Sequence, residues 1–314
     1  MKYGFGVDLG GTTVKLAFFD REGKLLDKWE IVTRTENNGE NILPDIAAAL
    51  DTYMKEHNIQ KADVAGVGIG VPGPVRADGT VNRCVNLGWG VFNIEKTLES
   101  LTGLPVKAGN DANVAALGEC WKGGGQGCEN MVMATLGTGV GGGIVLGGKV
   151  IPGAHGAGGE IGHLTMERDE TESCGCGKKG CVEQYCSATG VVRLAKKYLE
   201  NCDTPSSLRG IENLSCKDVF DAAAQKDAAA QAVLEQVYDY MGRFLSDICC
   251  VVDPEAIVLG GGVSKAGQPL LDGVKRHYDK YAFHACRETK FTLATLGNDA
   301  GVYGACKMIL DEVR

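Results

Sequence analysis

Small and apolar residues alternate from Tyr3 to Val7, and β-rich sequence resumes from Val14 to Phe19. Between them lies Asp8-Leu9-Gly10-Gly11-Thr12-Thr13. The pattern predicts two strands joined by a glycine hairpin turn, with a third strand over Leu25 to Val32. Leu43, Ile46, Ala47, Leu50 and Tyr53 or Met54 then recur at helical spacing, so an amphipathic helix follows the Asn37-Asn38-Gly39 turn. Val64 to Val71 reads as an apolar strand ending at the stiff loop Pro72-Gly73-Pro74. A short strand over Val106 to Gly109 leads to an Ala-rich helix that opens at Asp111 and runs toward Trp121. Gly123-Gly124-Gly125 reads as a turn. Met131 to Leu136 is a strand, Gly137 to Gly143 a glycine loop, and Ile144 to Leu146 a strand that turns through Gly147-Gly148 into Val150-Ile151.

From His155 to Cys186 the chain is rich in Gly and Cys and has little periodicity, so something other than core packing must hold it. Helices resume over Ala188 to Leu199. Ser215 with Asp218 resembles a capping box, and a long helix from Ala228 to Val252 stops at Asp253-Pro254. Ala256 to Leu259 is a buried strand entering Gly260-Gly261-Gly262; one helix follows, then a final one after Asp299. Leu9-Gly10-Gly11-Thr12 and Leu136-Gly137-Thr138-Gly139 each join one strand to the next. That echo predicts two related α/β lobes, each presenting a loop to a shared cleft. Residues 1–110, rejoined by 300–314, would make the small lobe, and 111–299 the large one.

The length of 314 residues agrees, since a single core stops growing at about 250–300. At 44% apolar residues the chain belongs with globular proteins. A net charge of -8 with no Lys/Arg block argues against nucleic acid as a partner. Asp8 interrupts the N-terminal apolar stretch, so no signal peptide is expected, and no apolar run reaches the length of a membrane span. Thirteen cysteines without a secretion signal point to a reducing cytoplasm, with thiols free or metal-bound. Cys249, Cys250 and Cys306 fall in apolar helices and read as small core residues.

The 46 glycines are about double the usual share of roughly 7%. Exposed backbone N–H groups can approach a polyphosphate closely where no side chain intervenes. Gly10, Gly11, Thr12 and Thr13 offer one such turn, with hydroxyls for phosphate or for water around Mg²⁺. Gly137, Thr138 and Gly139 offer a second. Gly260, Gly261 and Gly262 would let a nucleotide ring or ribose lie against the backbone. Any one cluster alone reads as a tight turn; three, each ending an apolar strand, point to a nucleotide. No Walker A spacing is present.

His163, Cys174, Cys176 and Cys181 have the make-up of a closed Cys₃His zinc site, with three thiols in a glycine-rich loop. Asn110-Asp111 sits where a strand ends and a helix begins, the place where α/β folds present side chains to ligands. Asp111 there is either a helix cap or a base able to take a proton from an attacking hydroxyl, with Asn110 holding a neighbouring one.

Asp8-x-Gly10-Gly11-Thr12, Leu136-Gly137-Thr138-Gly139 and Gly260-Gly261-Gly262 resemble the phosphate and adenosine motifs of the actin/Hsp70/sugar kinase-like (ribonuclease H-like) ATPases. In those proteins two lobes close around Mg-ATP. By that resemblance Thr12 and Thr138 contact phosphates, Asp8 sits near the metal and Gly261 lies at the adenosine. The block Gly158-Gly159-Glu160-Ile161-Gly162-His163 and Cys174-x-Cys176-Gly-x-x-Gly-Cys181-x-Glu183 is similar to the signature of the ROK family of repressors and sugar kinases, over essentially the whole chain. The resemblance implies that zinc shapes a sugar-binding loop and that Glu160, His163 and Glu183 contact sugar hydroxyls. It makes Asp111 the catalytic base, because Asn110-Asp111-Ala112-Asn113 with Glu119 downstream matches the family's catalytic segment. The expected activity is ATP-dependent phosphorylation of a hexose at its 6-hydroxyl, glucose first, with fructose, mannose, N-acetylglucosamine or N-acetylmannosamine as rivals. Dimers are implied by the family. Regulators in the family resemble this chain behind a helix-turn-helix domain, for which Asp8 leaves no room; an actin- or chaperone-like ATPase would not need the zinc-type cluster.

Overall fold

A computed structural model describes residues 1–312, so Val313 and Arg314 of the expected returning segment lie outside it. The chain forms two compact units, one comprising Met1–Glu129, Gly143–Gly159 and the segment from Thr295 on, the other Asn130–Gly142 and Glu160–Ala294. In sequence the elements are β1 (Tyr3–Leu9), β2 (Thr13–Asp20), β3 (Leu25–Val32), the single turn α1 (Glu36–Gly39), α2 (Ile42–Glu56), β4 (Val64–Val71), β5 (Thr80–Cys84), β6 (Trp89–Asn93), α3 (Ile94–Thr102), β7 (Val106–Asn110) and α4 (Asp111–Lys122). There follow β8 (Met131–Leu136), β9 (Val140–Leu146), β10 (Lys149–Val150), the single turn α5 (Glu183–Cys186), α6 (Ala188–Asn201), α7 (Cys216–Ala224), α8 (Ala228–Val252), β11 (Ala256–Gly260), α9 (Gln268–Tyr281), β12 (Lys290–Leu293) and α10 (Ala300–Glu312).

The first unit is built on a sheet of order β3-β2-β1-β4-β7. β1 to β3 are antiparallel and β1, β4 and β7 parallel. Alternation along β1 and β4 assigns each face a different job. Phe5, Val7, Val67 and Ile69 pack with Ile42, Ile46 and Leu50 of α2. Burial of each such side chain stabilises the unit by about 1.5–3 kcal/mol. On the opposite face the strands carry Gly6 and Gly68, where a Cβ would lie 2.1 Å from the Val302 oxygen and 1.7 Å from the Ala305 oxygen. Helix α10 therefore lies with its backbone directly on the sheet. The expected division after Asn110 falls at the β7–α4 junction, inside this unit.

The second five-stranded sheet has the order β10-β9-β8-β11-β12. In the second unit β8, β11 and β12 run parallel, with Gly260 in register with Thr135. Ser215 and Asp218 form the expected capping box on α7.

Three features depart from the sequence expectations or lay beyond them. The glycine loop is only Gly137 to Gly139, because Gly141 to Gly143 belong to β9. A Cβ on Gly143 would lie 2.4 Å from that of Ala116, so this glycine serves strand–helix contact and not a turn. The β5–β6 hairpin and α3 carried too short a pattern to be read. Trp89, at the start of β6, is buried with its indole N–H donating to Gly39 O at 3.2 Å. Cys250 is exposed, since α8 turns it away from the core that buries Cys249; Cys306 is buried as expected. Among the described residues, no helix is long and apolar enough to cross a membrane.

Candidate functional site

In the first unit the candidate residues gather at the carboxyl ends of three adjacent parallel strands. Asp8 is in register with Gly70, and Gly70 with Gly109, which sets Asp8 and Gly109 two strand spacings, about 10 Å, apart. Gly10 N–H donates to Thr13 O at 3.0 Å and closes the β1–β2 turn. Thr33, absent from the sequence reading, fastens the turn from below. Its hydroxyl donates to Gly10 O at 2.8 Å and its N–H to Thr12 O at 2.9 Å. Gly11 faces open space, which leaves room for a ligand.

Burial pushes the Asp8 carboxyl up; Lys15 opposes this and the charge of Asp111 adds to it. The first turn of α10 comes against this carboxylate, because a Cβ on Gly301 would lie 2.6 Å from Asp8 Cγ. Helix N-termini favour anions, so Asp8 retains a route to its charged form.

Asn110 and Asp111 divide the work at the head of α4. Asn110 is the cap, its Oδ1 accepting from Ala112 N–H at 3.0 Å and Asn113 N–H at 3.2 Å. Its Nδ2 donates to Gly73 O at 3.2 Å, tying the Pro72–Pro74 loop to the helix. Asp111 Oδ1 accepts from Asn110 Nδ2 at 3.0 Å and Ala112 N–H at 2.8 Å, while Oδ2 takes no hydrogen bond from the described residues. Burial raises the Asp111 carboxyl above the usual aspartate value, against the lowering effect of Ala112 N–H and Asn110. Glu119 is wholly buried and structural. It accepts from Gly124 N–H at 2.8 Å, Thr295 N–H at 3.0 Å and Leu296 N–H at 2.8 Å.

In the second unit the other two glycine turns leave neighbouring parallel strands, β8 and β11, on the same edge. Gly137 N–H donates to Gly139 O at 3.0 Å, a turn one residue tighter than its counterpart after β1. Gly137 and Gly262 face open space. Beside them is a cavity of about 420 Å³ lined by Ala188, Cys216, Phe220, Gly262 and Lys265. The α7 wall of this cavity was invisible in the sequence, whose only signal there was a helix cap.

His163, Cys174, Cys176 and Cys181 converge so that one ligand atom from each lies within 4.8 Å of the others. Cys176 and Cys181 sulfurs are 3.7 Å apart and Cys174 Sγ is 4.0 Å from His163 Nδ1. Tetrahedral zinc with bonds of about 2.3 Å to sulfur needs ligand separations of about 3.5–3.8 Å, so the set fits such an ion. His163 Nδ1 faces the cluster, and Nε2 is 3.9 Å from Glu160 Oε2. The Lys178 N–H holds the Cys176 thiol below its usual range, whereas burial raises Cys174. Glu170 anchors the loop to α5 and α6. Burial pulls its carboxyl up, but the Tyr185 hydroxyl, Glu172 N–H and Arg193 outweigh this and hold it at about 2.

The model of the ROK family matches residues 4–312. A glucokinase from Halalkalibacterium halodurans is 45% identical over 306 residues, 95% of this chain and 92% of that protein. A solved ROK family glucokinase from Streptomyces griseus, in complex with glucose and AMPPNP, is 33% identical, with a TM-score of 0.73 and 98% of each chain covered. A ROK hexokinase from Thermus thermophilus is 32% identical, with a TM-score of 0.83 and 99% of each chain covered. The two α/β units are those of the two-lobed actin/Hsp70/sugar kinase-like fold. With its signature loop, its paired glycine turns and a match along nearly its full length, the chain belongs to the ROK family.

Proposed function

We propose that this protein is an ATP-dependent hexokinase that converts glucose to glucose 6-phosphate. The observation that carries the reading is the half-buried Asp111 carboxylate, oriented through one oxygen by Asn110 and Ala112 and carrying a second for a substrate proton. The 45% identity to a glucokinase supports glucose as the acceptor. Asp111 takes the proton of the sugar's 6-hydroxyl as that oxygen attacks the γ-phosphorus in line; the bond to the β–γ bridging oxygen breaks and ADP leaves. Asn110, Glu160, His163 and Glu183 orient the sugar hydroxyls. Gly10 to Thr13 and Gly137 to Gly139 direct N–H and hydroxyl groups at the phosphates, and Gly260 to Gly262 border the adenosine. Mg²⁺ bound with the nucleotide near Asp8 supplies charge neutralisation at the β- and γ-phosphates. His163, Cys174, Cys176 and Cys181 hold a structural zinc ion that shapes the sugar-binding loop. With four protein ligands the ion has no open position for chemistry. A cytoplasmic homodimer completes the reading, the subunit count to be checked by light scattering.

The test is a coupled ADP-release assay across glucose, fructose, mannose, N-acetylglucosamine and N-acetylmannosamine. Glucose should give the highest kcat/KM. Preference for another sugar reassigns the substrate, and binding of glucose with no ADP release would make the chain a sugar-sensing regulator.

A further inference from the structure

Both carboxylate oxygens of Glu183 are engaged within the second unit, by different neighbours. Oε2 accepts the Val140 N–H at 3.0 Å, and Oε1 accepts from Cys174 Sγ at 3.5 Å. Val140 is the residue directly after the Gly137–Gly139 turn, and Cys174 is a member of the Cys/His cluster. A Cβ on Gly139 would lie 2.2 Å from Glu183 Oε2, so the turn lacks a side chain where the carboxylate meets it. The start of α6 braces the same turn. Ala188 N–H donates to Gly137 O at 2.8 Å, and the Thr189 hydroxyl donates to Thr138 O at 2.8 Å. Ser187, wholly buried, donates to Glu183 O at 2.7 Å and accepts from Gly190 N–H at 2.9 Å.

We propose that Glu183 is a positioning residue for the Gly137–Gly139 turn, and that through it the Cys/His cluster sets nucleotide affinity. The inference rests on the reading of that turn as phosphate-binding. A backbone turn cradles an anion well only if it is fixed before the anion arrives, because ordering it on binding costs affinity. Glu183 opens α5 two residues beyond Cys181, so an ion that fixes Cys181 also fixes the carboxylate through the chain; the Cys174 S–H contact belongs to the metal-free thiol, since a metal-bound thiolate has no proton to donate. An ion gripping four ligands of that loop holds it far more firmly than the loop's own hydrogen bonds. Coupling then runs from ion to Glu183 to Val140 N–H to the turn, all inside one compact unit. A residue that only touched sugar would have no such reach.

The experiment is a calorimetric titration of Mg-AMPPNP, without sugar, into the protein carrying its metal, Glu183→Ala, Glu183→Asp, Glu183→Gln and chelator-stripped samples. Glu183→Ala and the shorter Glu183→Asp, which cannot reach Val140, should each lose about tenfold in nucleotide affinity. Glu183→Gln keeps an acceptor oxygen and should stay within about threefold. Stripping should weaken the wild type about tenfold but add little to Glu183→Asp, whose link is already cut. Hydrogen exchange at Val140 should speed up in the same samples. Unchanged nucleotide affinity in Glu183→Asp, with a defect only in hexose KM, would overturn the inference, as would losses from stripping and mutation that simply add. Wild type that phosphorylates glucose while showing this negative result leaves the kinase reading intact; wild type that binds no Mg-nucleotide removes that reading itself.

Discussion

The side-chain amide of Asn110 donates to Asp111 Oδ1 across 3.0 Å while its own oxygen caps α4. The two adjacent polar residues share the Ala112 N–H, but only Asn110 also takes that of Asn113. Asn110 satisfies the helix terminus and, through Gly73, the neighbouring loop, which leaves Asp111 oriented but not consumed by capping.

Asp111→Asn should lower kcat by about 10²–10⁴-fold, the usual contribution of a general base. Mg-nucleotide affinity should change little. Steady-state kinetics with calorimetry on the same preparation checks both, and turnover near the wild-type rate would remove Asp111 from the mechanism.

Burial raises the Asp111 carboxyl, so protonation persists to higher pH than for an ordinary aspartate. The acid limb of kcat/KM should lie above the usual aspartate value, activity falling as pH drops through it. Stability runs the other way. A carboxyl raised in the folded state favours folding most below its unfolded value, and that contribution is lost as pH rises through the folded value. Asp111→Asn should accordingly show a higher Tm than wild type at neutral pH, measured by calorimetric melting.

Elemental analysis should find about one zinc ion per chain, as four protein ligands of this make-up imply. Stripping it should lower Tm and weaken glucose binding, and zinc re-addition should restore both. Protein that is metal-free as purified yet binds glucose normally contradicts the assignment.

Glu119→Ala removes a wholly buried carboxylate whose three hydrogen bonds join the end of α4 to the segment before α10. At about 1.5–3 kcal/mol for a hydrogen bond to a charged group, this variant should lose at least 2 kcal/mol in urea unfolding. Glu119→Gln, retaining one acceptor oxygen, should lose less.

Much of this protein was legible in its residue order because the determinants are local. β3 and α8 fall at their expected bounds, since period-2 and period-3.6 patterns, a cap and an Asp-Pro stop act within a few residues. The Cys/His cluster was legible for the same reason: three cysteines in an eight-residue glycine-rich loop can meet with little help from the rest of the chain. Asp8, Asn110 and Asp111 were found because they stand at strand ends followed by turns or helices.

What the pattern could not hold was supplied by segments distant in sequence. Thr33 under the first turn, Glu119 joining α4 to Thr295, and the α7 wall of the second unit's cavity carry no local signal, because the groups they serve lie on other elements. Gly143 misled for the same reason: glycine marks both a free turn and a surface pressed against a helix, and only the position of Ala116 decides between them. Residue order thus determined the elements, the metal-type cluster and the place of Asp111, while folding decided which backbone groups those side chains must satisfy, because hydrogen-bond partners are set by distance in space and not along the chain.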